Sequence, residues 1–143
     1  MAIVNVTNDN KKIWAVLCNE LWPHNSTDEM LEAFSDGEYK NEYLYQLDGV
    51  AVAFVSLSVR HDYVEGKFDS RPVGYLEGIY VKPEYRNRGI AKEMVLFSKK
   101  WSIENGCSML ASDCELTNEE SRMFHNKIGF SEVNINVHFI MQL

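Results

Sequence analysis

The segment 86–91, Arg-Asn-Arg-Gly-Ile-Ala, has the residue types and spacing of a phosphate-binding turn. It follows a β-branched run and Pro83, and an amphipathic helical pattern begins directly after it. A strand that leads through a glycine turn into a helix N-terminus can bind phosphate, because free backbone N–H groups and the helix dipole favour negative charge there. Gly89 would let the backbone approach the ligand closely. The pattern predicts a site for a nucleotide-like ligand, with an ordinary glycine turn flanked by surface arginines as the alternative.

Two carboxylates, Glu77 and Asp113, stand on the strand patterns that precede and follow this helix. A protonated amine is not a nucleophile, and each unit by which its pKa exceeds the pH costs about 1.4 kcal/mol of deprotonation. Carboxylates at matching levels of adjacent strands could hold a cationic substrate and accept its proton, directly or through water. An unpaired carboxylate inside a buried strand is costly, which favours a functional role for Glu77. For either residue alone, a hydrogen-bonded or surface carboxylate is the alternative.

The elements that would position these residues follow from hydrophobic periodicity and turn signals. Helical patterns cover segments 11–21, 26–34, 90–105 and 117–128, with capping boxes at Ser26–Glu29 and Thr117–Glu120. Strand patterns cover segments 3–6, 43–47, 50–59, 73–81 and 109–113, and the tail 131–143 is predicted to be mostly extended. Asp48-Gly49 is a hairpin signal. Gly78 lies inside a strand pattern, where glycine often marks a bulge.

Length and composition fit one globular domain over residues 1–143. The net charge of -7 argues against nucleic acid as a partner and suits a cationic one. Neither a secretory signal nor a membrane-spanning run is recognisable, so no membrane association is expected. An odd count of three cysteines fits a reducing cytoplasm better than a disulfide framework. The histidines show no metal-ligand spacing, so we expect no metal.

The order of these elements, with the 86–91 motif after the fourth strand, resembles the GCN5-related N-acetyltransferase (GNAT) superfamily, whose members use acetyl-CoA to acylate amines. The resemblance covers the whole chain, including Ile128-Gly129-Phe130 at the end of the last helix. Four local features resemble the aminoglycoside 6′-N-acetyltransferases: Leu21-Trp22-Pro23, Tyr63-Val64, Leu76-Glu77-Gly78-Ile79-Tyr80-Val81 and Ala111-Ser112-Asp113. The resemblance implies a mixed α/β GNAT fold. Its sheet would be twisted and mostly antiparallel, with a splay between strands four and five and about four flanking helices.

The resemblance also implies acetyl-CoA as cosubstrate. Its pyrophosphate would be held mainly by the backbone of the glycine turn, and its pantetheine arm would lie in the opening that a bulge at Gly78 creates. An N–H group near Ile79 would face the thioester oxygen as negative charge develops there. The implied cofactor-binding residues are Ile79, Tyr80, Val81, Arg86, Asn87, Arg88, Gly89, Ile90, Ala91 and Asn118. For Gly78 a tolerated twist is the alternative, and for Asn118 a helix cap.

On the substrate side, the resemblance implies that Asp113 binds the amine and that Glu77 is its partner and candidate base. Trp22 could stack on a sugar ring, with plain packing as the alternative. Tyr63, in the long connection 60–71, is a candidate substrate contact or a surface-loop residue. Two further candidate contacts to substrate hydroxyls are His24 and Asn25.

His125 stands where many superfamily members carry a tyrosine that protonates the leaving thiolate. It could donate that proton, contact coenzyme A or be an exposed helix residue. No cysteine lies beside an evident base, so we expect direct transfer in a ternary complex and no acyl-enzyme.

The predicted function is acetyl transfer from acetyl-CoA to the 6′-amine of aminoglycosides, giving antibiotic resistance in a bacterial cytoplasm. One alternative is a superfamily enzyme that acetylates a polyamine, a small metabolite or a protein amine. Another is a non-catalytic module that senses coenzyme A. The resemblance and the apolar tail 131–143 favour a homodimer, with an internal strand as the alternative reading of the tail.

Overall fold

A computed structural model describes residues 2–62 and 71–143 of the chain. Within these residues one sheet has the strand order β1-β2-β3-β4-β5, in which β4 and β5 are parallel and the other neighbours antiparallel. The strands are β1 (Ile3–Asn5), β2 (Asn41–Leu47), β3 (Val50–Arg60), β4 (Val73–Val81) and β5 (Leu110–Ser112). The helices are α1 (Lys11–Leu21), α2 (Thr27–Ser35), α3 (Ile90–Glu104) and α4 (Glu119–Ile128), with a short 3-10 turn over Pro83–Tyr85.

The sheet lies between two layers of helices. Phe54 and Val55 are neighbours in β3, so their side chains point to opposite faces. Phe54 packs with Trp14 and Leu17 of α1 and with Met30 of α2. On the other face, the core around Val55 includes a stripe from α3, namely Ile90, Met94 and Trp101. The helical periodicity therefore predicted the buried faces of α1 and α3 correctly.

The chain turns where the sequence signals predict, with one difference. The Ser26–Glu29 capping box forms at the start of α2, with hydrogen bonds in both directions. Asp48 and Gly49 both have positive φ, as a two-residue hairpin between β2 and β3 requires. At α4 the predicted Thr117–Glu120 box is wrong, because the Asn118 side chain caps this helix instead.

β4 is irregular at Glu77, and this irregularity shapes the site. Towards β3, the pairing passes from Gly78 to Leu76 between adjacent β3 residues, so Glu77 has no partner and forms a β-bulge. Towards β5, the pairing ends at Leu76 and Ser112. Within the described chain, the β5-facing edge of β4 beyond Leu76 is therefore unpaired. We call this stretch, residues 77–81, the open edge; it is the predicted splay between the fourth and fifth strands.

The tail after α4 forms no strand, so the alternative of an internal strand is wrong. Residues 130–143 adopt neither helix nor strand. Their large apolar side chains are exposed, Phe139 by 92%. The exposed residues are Val133, Ile135, Val137, Phe139, Ile140, Met141 and Leu143. In the described parts of the chain, no helix is both long and apolar enough to cross a membrane.

Candidate active site

The turn between the 3-10 segment and α3 presents a row of free backbone N–H groups. Asn87 (φ 62°) and Gly89 (φ 83°) are left-handed, and Gly89 precedes α3 without a side-chain cap. Among the described residues, the N–H groups of residues 87–92 find no acceptor. Consecutive free N–H groups at the positive end of a fifteen-residue helix form an anion-binding site. The structure therefore supplies the geometry that the 86–91 motif predicts.

The two arginines of the motif bond to backbone carbonyl groups near this turn. Arg86 Nε donates to the carbonyl oxygen of Val81 at 2.8 Å, and its guanidinium lies 5.5 Å from the Tyr80 ring centroid. Arg88 donates to the carbonyl oxygen of Glu84 at 3.1 Å. Both side chains are thus engaged by the protein, which leaves the backbone as the principal anion-binding group.

The open edge runs along Ile79 and Tyr80 to Val81, whose carbonyl oxygen bonds to Arg86 of the turn. Gly78 is needed here for space, since a Cβ atom at this position would lie 2.5 Å from Cζ2 of Trp22. The Trp22 ring lies over Gly78 and meets Phe54 edge to face, with 5.7 Å between ring centroids. The packing alternative for Trp22 therefore holds, and the ring also lines the cavity described below.

Glu77, the bulged residue, is held by Arg60 of β3. Arg60 Nη2 lies 2.7 Å from Oε1 of Glu77, and Arg60 Nε lies 3.1 Å from Oε2. Ser58 also donates to the Glu77 carboxylate. The sequence prediction ended β3 at Val59 and placed Arg60 in a loop, so it missed this partner. A cationic substrate must share or displace the guanidinium to reach Glu77.

Asp113 follows β5 at the level of Glu77, as predicted, because Leu76 pairs with Ser112. The hydroxyl of Tyr75 donates to the Asp113 carboxylate. Arg60 lies over the same tyrosine, with its guanidinium carbon 3.6 Å from the ring centroid. Tyr75, which sequence reasoning missed, therefore connects Asp113 to the Arg60–Glu77 pair.

A cavity of about 310 Å³ opens on the α1/α2 face of the sheet. Its deepest charged residue is Glu42, which is 4% exposed. Glu42 accepts hydrogen bonds from Trp14 Nε1 at 3.0 Å and from Ser56 Oγ at 2.7 Å. Burial raises the pKa of Glu42 to about 8, although these two hydrogen bonds act in the opposite direction. The lining residues are Trp22, Glu38, Tyr39, Glu42, Ser56, Leu57, Ser58 and Glu77.

Glu42 was missed because the predicted second strand began at Tyr43, two residues after the observed start of β2 at Asn41. The signal that could have found it is the alternation of β2: Glu42 and Leu44 share a strand face, and Leu44 is in the core.

The predicted contacts beyond α1 lie away from this cavity. His24 is exposed, and Asn25 belongs to a turn in which its N–H donates to the carbonyl oxygen of Trp22 at 2.9 Å. Neither residue lines the cavity. Tyr63 lies outside the described residues. The roles of these three residues therefore stay predictions.

Both ring nitrogens of His125 in α4 have hydrogen-bond partners, one of them Ser112 of β5. Nδ1 is 2.7 Å from the carbonyl oxygen of Ser121, and Nε2 is 2.8 Å from Oγ of Ser112. A carbonyl oxygen only accepts, so Nδ1 donates in the first contact. The Ser112 hydroxyl also donates to the carbonyl oxygen of Leu76 at 3.2 Å. Asn118 accepts from the N–H of Ser121 at 3.1 Å, which is the capping role given as its alternative.

An anion-binding turn joined to an unpaired strand edge defines a site for an acyl carrier with a phosphate-bearing head. The Acetyltransferase (GNAT) family model matches residues 6–130, and the chain belongs to this family. The protein is therefore an acetyltransferase, and the predicted superfamily and fold are confirmed. In the described part of the chain, no group of three or more His, Cys, Asp or Glu side chains could hold a metal ion.

Three members of the family are similar to this chain over nearly its whole length. Aminoglycoside N(6′)-acetyltransferase type 1 of Salmonella enteritidis is 36% identical over 135 residues, or 92% of each chain. Aminoglycoside antibiotic 6′-N-acetyltransferase AAC(6′)-IG of Acinetobacter haemolyticus, solved without ligand, is 32% identical. It has a TM-score of 0.91 and covers 100% of this chain and 99% of its own. The third is AAC(6′)-Iy in complex with the bisubstrate analogue CoA-S-monomethyl-acetylneamine. It is 34% identical, with a TM-score of 0.86 over 99% of this chain and 97% of its own.

Proposed function

We propose that the protein transfers an acetyl group from acetyl-CoA to the 6′-amine of aminoglycoside antibiotics. The observation that carries this proposal is the junction of the free N–H groups of residues 87–92 with the open edge, beside a cavity that holds carboxylates. The similarity to aminoglycoside 6′-N-acetyltransferases, one of them bound to a coenzyme A–acetylneamine analogue, supports the choice of both substrates.

Acetyl-CoA would bind with its pyrophosphate on the glycine turn and its pantetheine arm along Ile79, Tyr80 and Val81. The arm would lie beside β4 like an added strand, and its amide groups would bond to the backbone groups of the open edge other than the Val81 carbonyl, which accepts from Arg86. An N–H group near Ile79 would stabilise the negative charge that develops on the thioester oxygen.

Asp113 and Glu77 would hold the amine over the thioester. The bound ammonium group first gives a proton to Glu77 or to water beside it, because only the neutral amine is a nucleophile. The amine nitrogen then attacks the thioester carbonyl, the C–N bond forms and the C–S bond breaks, so that coenzyme A leaves as a thiolate. The nitrogen loses its second proton to water. The thiolate takes up a proton, and His125, which contacts Ser112 next to Asp113, is the candidate donor. No covalent enzyme intermediate is needed.

Acetylation would protect a bacterium by removing one positive charge from the drug. The neutral amide is attracted less strongly to ribosomal RNA phosphate. The enzyme would act in the cytoplasm, where acetyl-CoA and ribosomes are found, with residues 1–143 acting as one domain.

We further propose that the protein is a homodimer. Seven large apolar side chains of the tail are exposed in the isolated chain, Phe139 and Ile140 almost completely. Exposed apolar surface of this extent is typical of an interface. A second copy of the chain could cover these exposed side chains, and their exposure supports the proposed dimer.

A thiol-release assay with acetyl-CoA tests the proposed activity across neamine, spermine and lysine-containing peptides. We expect turnover with neamine and a product whose 6′-nitrogen carries the acetyl group, as identified by NMR. Turnover only with spermine or peptides would overturn the substrate assignment. Coenzyme A binding without turnover of any amine would favour the sensing module.

A further inference from the structure

The cavity contains a buried carboxylate that the proposed acetyl transfer does not use. Glu42 pairs across the sheet with Ser56, and Ser56 pairs with Gly78, the neighbour of Glu77. Glu42 and Gly78 therefore lie two strand spacings apart, which is about 10 Å at the backbone. Both Glu42 and Glu77 line the same cavity. The two carboxylates can therefore contact different groups of one ligand.

Glu42 has hydrogen-bond donors but no counter-charge. Its two partners, Trp14 and Ser56, are neutral. Among the described residues, no lysine, arginine or histidine contacts Glu42, and Arg60 is bound to Glu77. The titratable groups that face Glu42 are acidic or neutral: Cys18 of α1, Glu38 and Tyr39 before β2, and Glu77 of β4. When Glu42 ionises, a carboxylate in this position needs a cationic partner, and the open cavity is where one can enter.

We propose that this cavity is a second ammonium subsite, in which Glu42 pairs with a substrate amino group other than the one that is acetylated. The inference rests on the proposed aminoglycoside substrate. A volume of about 310 Å³ is at the lower end of the range of small-molecule sites, about 300–1,000 Å³. Trp22 and Tyr39 supply aromatic walls for a sugar or cyclitol ring.

Ligand binding and the ionisation of Glu42 are then linked. Burial raises the pKa of Glu42 to about 8, so in most molecules of the free protein this carboxyl is protonated and neutral at pH 7. An ammonium group in the cavity favours the carboxylate, lowers its pKa and releases a proton. The contribution of Glu42 to affinity therefore increases as the pH rises from 6 towards 8.

The test is calorimetry with Glu42→Gln in the presence of coenzyme A. Glutamine keeps the shape and can still bond to Trp14 and Ser56, but it cannot ionise. The probes are neamine and paromamine, which carries a hydroxyl in place of the 6′-amine of neamine. The matched control is Glu32→Gln, which removes an equal charge from an exposed position of α2.

We expect Glu42→Gln to weaken both probes at least tenfold at pH 8 and less at pH 6, while coenzyme A affinity changes less than twofold. Titrations in two buffers of different ionisation enthalpy should show proton release in the parent and in Glu32→Gln that Glu42→Gln lacks. Glu42→Asp, which keeps the charge, should retain the proton release.

Unchanged affinity and unchanged proton release in Glu42→Gln would overturn the subsite. A loss confined to neamine would also overturn it, because Glu42 would then bind the 6′-amine itself. Failure of the proposed function looks different: the parent protein would neither bind nor acetylate neamine. A Glu42→Gln protein that acetylates neamine with unchanged KM at pH 8 would remove the subsite and leave the proposed function standing.

Discussion

Arg60 and Glu77 form a two-point ion pair inside the candidate active site, with Nη2 2.7 Å from Oε1 and Nε 3.1 Å from Oε2. The guanidinium occupies the position at which a substrate ammonium group would meet Glu77. It also packs on Tyr75, which donates a hydrogen bond to Asp113. The two carboxylates of the proposed reaction are therefore positioned through one arginine and one tyrosine.

Replacing Arg60 tests whether this residue positions the Glu77 carboxylate or only competes with the substrate for its charge. In Arg60→Gln, Glu77 keeps its hydrogen bond from Ser58 but loses its cation and its fixed orientation. We expect kcat to fall about tenfold, since misplacing a catalytic group costs rate. The KM for neamine should not rise, because a competing cation has been removed. Steady-state kinetics measures both constants, and a raised KM with normal kcat would contradict this role for Arg60.

Asp113 should act on the amine substrate alone. In Asp113→Ala, we expect the KM for neamine to rise at least tenfold while the affinity for coenzyme A stays within twofold. Asp113 is exposed and its contact is with Tyr75, so the variant should fold. Steady-state kinetics with calorimetric titration of coenzyme A checks the difference. Equal losses for the two ligands would indicate a damaged fold instead.

Gly89 should matter for coenzyme A through the backbone conformation alone. No atom lies within 4 Å of a Cβ built at this position, but its φ of 83° strains any other residue. We expect Gly89→Ala to lose about 1 kcal/mol of stability and at least tenfold in coenzyme A affinity, as the row of N–H groups shifts. Chemical denaturation and calorimetry measure the two effects.

Asn87→Gly is the matched control for Gly89→Ala. Asn87 is also left-handed, with φ 62°, and glycine adopts that conformation without strain. Coenzyme A affinity should therefore be close to that of the parent. A loss as large as that of Gly89→Ala would show that the Asn87 side chain, and not the backbone, holds the ligand.

Glu42 should make folding stability depend on pH. Its pKa in the folded protein, about 8, exceeds its ordinary value of 4.5. The carboxyl therefore favours the folded state below pH 4.5, and that contribution is lost as the pH rises towards 8. Glu42→Gln does not titrate, so its Tm should be close to that of the parent at pH 5 and exceed it by roughly 10 °C at pH 8.5. A Tm difference that is the same at both pH values would contradict the buried, uncompensated carboxylate.

The sequence predicted the elements with strong periodicity and most of their turns. The apolar stripe of α3, the Asp48-Gly49 hairpin and the bulge beside Gly78 all depend on local rules that the structure obeys. The anion-binding turn also follows from local sequence, because the free N–H groups arise from the backbone conformation at Asn87 and Gly89.

The missed residues depend on contacts between elements that are far apart in the sequence. Glu42 and Arg60 lie near the ends of β2 and β3, just outside the predicted strands, where periodicity is weakest. Their partners come from other elements: Trp14 for Glu42, and Glu77 for Arg60. The tail is a different case, since its alternating apolar residues resemble a strand but form none with the described residues, and their side chains are exposed.

A crystal structure of the ternary complex with coenzyme A and neamine would locate both substrates at once. We expect the pyrophosphate on the N–H groups of residues 87–92, the pantetheine arm along the open edge, and the 6′-amine of neamine between Glu77 and Asp113. Coenzyme A bound elsewhere, or an amine group placed away from both carboxylates, would contradict this expectation.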